Sequence, residues 1–277
     1  MKLLACAFVL IPALAFGQQR PLVTEDPETI GAERVLIEAG FDHVRAAEFP
    51  VSGLKGNLTR FPLIGISFGI GDIGEVQIDG GLYNRLSITD RRMAPLSHVV
   101  TATGDSTADV EDMMVGTKVR LISEGASRPA IALRSAVKIP NAGNESGLGL
   151  DTMDFHSTVL IAKTVQSVRL VGNIGLGILS DPTRGDRQND VVLYGLSFAR
   201  AVSAGAEVVG EINGRLDTRN GEPPPGTESR SMGRFGARYT TGSFRLDGAL
   251  LFGITANDPG FGVTGGFTYV FSGFRLP

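Results

Sequence analysis

The chain has 277 residues, with 26 Lys and Arg against 29 Asp and Glu, a formal net charge of −3 at pH 7. That mildly acidic balance excludes the basic footprint of a nucleic-acid-binding protein. The one cysteine, Cys6, lies in the first apolar stretch, so the rest of the chain can form neither disulfides nor thiolate metal sites, and no cofactor is expected.

Lys2 followed by the apolar run Leu3 to Leu14, with Ala13, Ala15 and Gly17 as small residues at a cleavage region, reads as an export signal over 1–17. After it, no stretch has the 18 or so uncharged apolar residues of a membrane-spanning helix. The exported chain is therefore soluble, or it crosses a bilayer as a closed barrel, in which every backbone polar group finds a partner. Residues 18–32 carry Pro21, Glu25, Asp26, Pro27 and Glu28 without periodicity. They read either as a loose periplasmic tail or as a plug in which Glu25, Asp26 and Glu28 meet a basic wall.

From residue 33 onward, apolar and polar positions alternate with period two, the signature of strands. Val35, Ile37, Ala39 and Phe41 share one face of the first strand, and Ile64, Ile66, Phe68 and Ile70 one face of the second. The pattern recurs near 76–82, 113–121, 131–139, 155–161, 170–178, 192–198, 206–213, 234–239, 244–252 and 261–271. This predicts about twelve strands of roughly nine to thirteen residues, the length of a tilted strand crossing a bilayer. The connections at 89–108, 140–152, 179–190 and 215–229 are long and polar, whereas 71–74, 123–128, 163–167, 200–203 and 240–243 are short. Such alternation belongs to outer-membrane barrels, with short periplasmic turns and longer external loops. The connection at 256–259 is shorter than this pattern predicts.

A soluble barrel would turn the same apolar face inward. Here that face carries bulky Ile, Leu, Phe and Val on every strand, too much for one small interior, and the other face is filled with Gly, Ser, Thr and charge. The expectation is an all-β, transmembrane, antiparallel up-and-down β-barrel over 33–277. The lumen would be lined by Lys118, Arg120, Arg134 and Lys138, by Asp154 and His156, and by Glu207, Glu211, Arg234, Arg238, Arg245 and Asp247. The Glu/Arg group reads mainly as cross-strand pairing. The Lys/Arg group, with fewer acidic neighbours in view, serves equally well as a selective basic wall. Gly69-Ile70-Gly71-Asp72-Ile73-Gly74 fits a dinucleotide fingerprint in spelling only, because a strand rather than a helix follows it. His43, His98 and His156 lack zinc-binding spacing. Asp154 and His156 share a face but Ser157 points away, so no catalytic residue is expected.

Several short motifs carry a family resemblance. Pro21-Leu22-Val23-Thr24-Glu25-Asp26-Pro27-Glu28-Thr29 resembles the opening of the outer-membrane proteins associated with the meta-pathway of phenol degradation. Asp109-Val110-Glu111-Asp112 with Gly116 and Lys118, Val137-Lys138-Ile139-Pro140, and Gly149-Leu150-Asp151 are similar to segments of the same family. The resemblance implies an outer-membrane barrel moving small apolar or aromatic compounds. At the C-terminus Phe271 is followed by Ser272 to Pro277, a departure from barrels that end on an aromatic residue read by the assembly machinery.

The reading at this level is a passive channel, not an enzyme, with outer-membrane lipid, the barrel-assembly machinery and a small solute as partners. The alternatives are a non-transporting structural or surface-interaction barrel and a soluble periplasmic lipid-binding β-protein.

Overall fold

The structure is a computed structural model that describes residues 20–273; the signal at 1–17 lies outside the described residues. Fourteen strand segments form one antiparallel sheet closed on itself. They are β1 (Arg34–Phe49), β2 (Leu54–Ile70), β3 (Gly74–Gly81), β4 (Asn84–Arg91), β5 (Ser106–Asp109), β6 (Met113–Ile122) and β7 (Ala130–Ile139). The second half holds β8 (Asp154–Val165), β9 (Val168–Ser180), β10 (Gln188–Ala201), β11 (Ala206–Asp217), β12 (Arg230–Thr241), β13 (Phe244–Gly253) and β14 (Phe261–Ser272). From β6 to β14 each pairs with its chain neighbour, β3 lies between β2 and β6, β4 between β2 and β5, and β1 closes the ring by pairing with β14 as well as β2.

Two of the wall strands are interrupted, so fourteen segments make a closed barrel of 12 strands. β3 and β4 both lie along β2, one on each half. The break falls beside Pro62, which has no N–H to donate. Hydrogen bonds from Phe61 N to Tyr83 O (2.8 Å) and from Leu82 N to Pro62 O (3.0 Å) carry the ladder across it. β5 and β6 form the next wall strand in the same way, with Glu111 N donating to Gly81 O.

The strand bounds correct the sequence reading in one arc. β1 and β2 run for 16 and 17 residues, longer than expected, and the long connection is 92–105 rather than 89–108 because β4 and β5 fill its ends. The outward residues of this extension, Arg45, Thr59, Arg85, Ser87, Thr89 and Arg91, are exposed and polar. Lipid-facing apolar residues are absent there, so the sequence signal faded where the wall rises above the membrane. The connection at 181–187 is also tighter than the expected 179–190, and 50–53 is a tight turn on the rim of long loops.

Below that arc the outside is apolar. Leu196 is 66% exposed, Ile174 60% and Leu246 53%. A continuous belt of such residues is not a surface that water tolerates, which removes the soluble reading. Aromatic pairs sit at both ends of the β13–β14 hairpin. Phe252 packs on Phe261 (5.6 Å between ring centres) at one end, and Phe244 on Phe267 (5.7 Å) and Tyr269 on Phe271 (5.6 Å) at the other, as interfacial girdles do.

Facing is therefore testable. Ile174→Lys puts a charge among lipid tails and is expected to cost about 2–4 kcal/mol near the midplane. Met114→Lys on β6 faces Asp79 across the inner wall and is expected to assemble normally. The fraction of heat-modifiable, folded barrel on unboiled gels reads both; equal defects would show that the register of faces is wrong.

Candidate functional site

The interior is built around residues 20–32, which run inside the barrel rather than beneath it. Inward glycines make the room. A Cβ on Gly69 would lie 1.8 Å from the Gly31 carbonyl oxygen, and one on Gly195 would lie 2.8 Å from Thr24 Oγ1. The inward glycine face seen in the sequence is thus a bed for this segment. Leu22 packs with Ala199 and Val209, and Ile30 with Leu36 and Val270.

Acidic side chains of the segment reach specific cations on the wall. Glu25 lies 3.2 Å from Lys118 Nζ and 3.0 Å from Arg134 Nε. Lys118 also pairs with Glu75 at 3.0 Å and donates to the Asp26 carbonyl at 3.0 Å. Asp26 takes a two-pronged contact from Arg169, the Nη2 arm at 2.6 Å. Glu28 pairs with Arg120 at 2.5 Å. Arg169 is held in turn by Glu124 (2.7 Å) on the turn after β6. Burial works against the Glu124 charge, but the Thr164 N–H, Lys163 and Arg169 outweigh it and hold its carboxyl below the usual range.

Most of the remaining expected lumen residues pair with one another or with neighbouring side chains of the lumen. Lys138 sits 2.8 Å from Asp154 and 3.4 Å from Asp112. Arg234 contacts Glu211 at 2.6 Å, and Arg238 contacts Glu207 at 2.7 Å. Arg245 is 4.0 Å from Glu207 and donates to Thr240, and Asp247 is 3.4 Å from Arg20. His156 lines the outer cavity described below. The basic wall on β6 and β7 is thus not short of acids, as its own strands suggested. Glu25 and Glu75 neutralise it, and neither the segment's path nor the β3–β6 pairing is written in local spacing. Sequence reasoning also left out Glu38, Glu75, Gln77, Asn173 and Arg169 as lumen partners. Arg169 stood on the polar face of its strand, but nothing local tied it to Asp26.

Asp26→Asn removes one charge from the pair with Arg169. Hydrogen bonds to charged groups are worth about 1.5–3 kcal/mol, so the segment should dock more weakly. Limited proteolysis of residues 20–32 is expected to accelerate in the variant while the barrel stays intact.

Among the described residues, cavities adjoin the segment and lie beyond it. One of about 380 Å³ adjoins Arg20, Leu22, Glu25 and Arg134. Another, of about 560 Å³, lies under the long loops, bordered by residues such as Leu148, Leu150, Gly226 and Pro259. They share Arg60, Glu111, Asp112 and Arg234 as lining. Arg60 bridges Asp42 (2.7 Å) and Glu111 (3.0 Å) at this junction. The outer cavity has an unexpected inner surface: Val44, Ala47 and Leu251 form a buried cluster with Phe49, Leu58 and Met232 against it. Of these, Val44, Met232 and Leu251 continue strand faces expected to be polar.

No family model matches the chain, and no curated protein matches it. The phenol-pathway resemblance therefore rests on the quoted motifs alone. Among solved structures, the chain is similar to the COG4313 outer membrane channel from Pseudomonas putida F1, with a TM-score of 0.62 at 14% identity over 89% of this chain and 98% of that one. It is also similar to the NanC porin, with a TM-score of 0.50 at 9% identity over 87% of this chain and 100% of that one. At such identities the likeness carries the fold: the chain is a closed, twelve-stranded β-barrel of the outer-membrane type.

Proposed function

We propose that this barrel is a passive outer-membrane channel for small molecules that carry a substantial apolar or aromatic part, with both chain ends in the periplasm. The observation that carries this reading is the apolar cluster around Leu58, Met232 and Leu251, which faces a cavity of about 560 Å³ inside an otherwise polar lumen. Ligand sites are mostly apolar clefts of about 300–1,000 Å³ with a few placed polar groups. The phenol-pathway resemblance points to the same solute class, and the fold of the Pseudomonas putida channel supports the same architecture. Residues 20–32 would act as a plug that keeps the pore from passing solutes generally.

The test joins location to transport. The protein should sediment with outer membranes, run as a heat-modifiable band, and in planar bilayers give a small conductance. Proteoliposomes should take up a neutral aromatic such as toluene or phenol faster than a sugar of similar mass. Recovery in the soluble periplasmic fraction would sink the membrane placement.

A second reading, a closed structural barrel, draws on the density of ion pairs across the lumen. It differs in one outcome: neither the whole chain nor a chain lacking the segment would pass any solute.

A further inference from the structure

Among the described residues, two cations that line the outer cavity have no carboxylate bonded to them. Arg215 on β11 stands directly opposite Arg230 on β12, and both line the cavity. Directly opposed residues have Cβ atoms about 4.5–5.5 Å apart, and like charges so placed destabilise a sheet. Other inward cations avoid this cost: Lys118, Arg120, Arg134, Lys138, Arg234 and Arg238 each hold a carboxylate.

Arg215 and Arg230 do not. Among the described residues neither forms an ion pair. Arg215 donates to the carbonyl oxygens of Glu228 (2.9 Å) and Gly226 (2.6 Å). Arg230 donates to the Glu48 carbonyl at 3.3 Å, and its Nε is buried without a partner. The acids that line the same cavity are engaged elsewhere. Glu48 holds Lys55 (2.5 Å), Glu111 holds Arg60 (3.0 Å) and Asp112 holds Lys138 (3.4 Å). Asp258 accepts from the Ser231 and Thr255 N–H groups (2.8 and 3.0 Å). Glu228 accepts from the Gly226 N–H (2.8 Å) and lies near Arg215 without bonding to it, so two guanidinium groups with no directly bonded carboxylate face a cavity large enough for a small molecule.

We propose that this cavity binds small amphipathic carboxylic acids, with Arg215 and Arg230 clamping the carboxylate and the Leu58–Met232–Leu251 surface seating the apolar part. A guanidinium presents N–H donors in a planar fork that matches a carboxylate. Met232 follows Arg230 by two residues on the same strand face, so the apolar surface begins one side chain away from the cations. Alkylbenzoates and medium-chain fatty acids have this shape. The inference rests on the channel reading and narrows its solute class from apolar molecules to their acids.

The test titrates the full-length protein in lipid nanodiscs with 4-butylbenzoate and with the neutral 4-butylbenzyl alcohol, empty nanodiscs serving as the blank. The wild type should bind the carboxylate more tightly. Arg230→Gln, and more so Arg215→Gln with Arg230→Gln, should weaken carboxylate binding by about tenfold or more while leaving the alcohol nearly unchanged. Arg230→Lys should restore part of the loss. Arg215 also supports the loop 218–229 through its two carbonyl contacts, so if the double variant fails to assemble, Arg230→Gln alone decides. Equal carboxylate binding by wild type and variants, or a wild type that prefers the alcohol, would overturn the site. Loss of both probes together would also overturn it, because packing rather than charge would then be responsible. Carboxylate binding by a barrel that passes no solute would support the site and sink the channel. Passage of both probes without carboxylate preference would do the reverse.

Discussion

A chain lacking residues 20–32 is expected to show a severalfold larger single-channel conductance than the whole protein, with the barrel still folded. The wall closes through β1 pairing with β14 and β2, and none of that ladder uses the segment. What the deletion removes is the filling: Leu22 and Pro27, both buried, and the acids that engage Lys118, Arg134, Arg169 and Arg120. The same deletion takes Glu25, Asp26 and Glu28 away from those cations, so that Arg120 loses its carboxylate and Lys118, Arg134 and Arg169 keep only Glu75, Asp79 and Glu124, in a narrow pore with low-dielectric walls, where fields are strengthened. The open form should therefore also favour anions more than the intact form does. Planar-bilayer current and reversal potential in a salt gradient measure both effects. Unchanged conductance would mean that the segment does not limit passage, and the plug role would be withdrawn.

Lys118→Met is expected to be the most damaging single substitution inside the barrel, costing about 3–5 kcal/mol. The Lys118 side chain is 0% exposed, as is that of Glu75, and Glu25 is 7% exposed. Methionine fills much the same space but strips the buried Glu75 of its paired cation and leaves Glu25 with Arg134 alone. Removing one member of a buried charged set costs far more than the set contributes when complete, since the stranded charge keeps its desolvation penalty. Adding Glu75→Gln to Lys118→Met should recover part of the loss, because the stranded carboxylate is then neutral and Glu25 still holds Arg134. The temperature at which the heat-modifiable band converts gives the ranking. A Lys118→Met barrel as resistant as wild type would show that this network contributes little.

The wall was readable because lipid outside and a polar lumen inside impose opposite demands on adjacent residues, and Phe261 to Phe271 show it over a whole strand. The reading weakened wherever that contrast fails. Arg85, Ser87, Thr89 and Arg91 on β4 face water above the bilayer, so the strand looked like loop. Val44, Met232 and Leu251 are apolar but inward, and a two-sided pattern cannot distinguish a solute-facing apolar residue from a lipid-facing one. The lumen charges were found as residues but not as pairs. Glu25 meets Lys118 across 93 positions of sequence and Asp26 meets Arg169 across 143, distances over which spacing holds no information. Arg215 fell within a stretch read as loop, and only the β11–β12 register sets it against Arg230.

The segment inside the barrel is bonded differently from everything around it. The amides of Val23 and Thr24 donate to Glu211, that of Glu25 to Asn173, and that of Ile30 to Glu75. All of these acceptors are side chains, whereas the wall's amides pair backbone to backbone. Releasing Glu211, Asn173 and Glu75, together with the ion pairs to Glu25, Asp26 and Glu28, therefore frees this stretch without opening a single rung of the sheet. Protection against hydrogen exchange should follow that division. These four amides should exchange together, at a rate set by undocking, while the β9 and β11 amides beside them remain protected for as long as the barrel stands. In a folding sequence the same division puts the segment last: a guest that enters a finished ring.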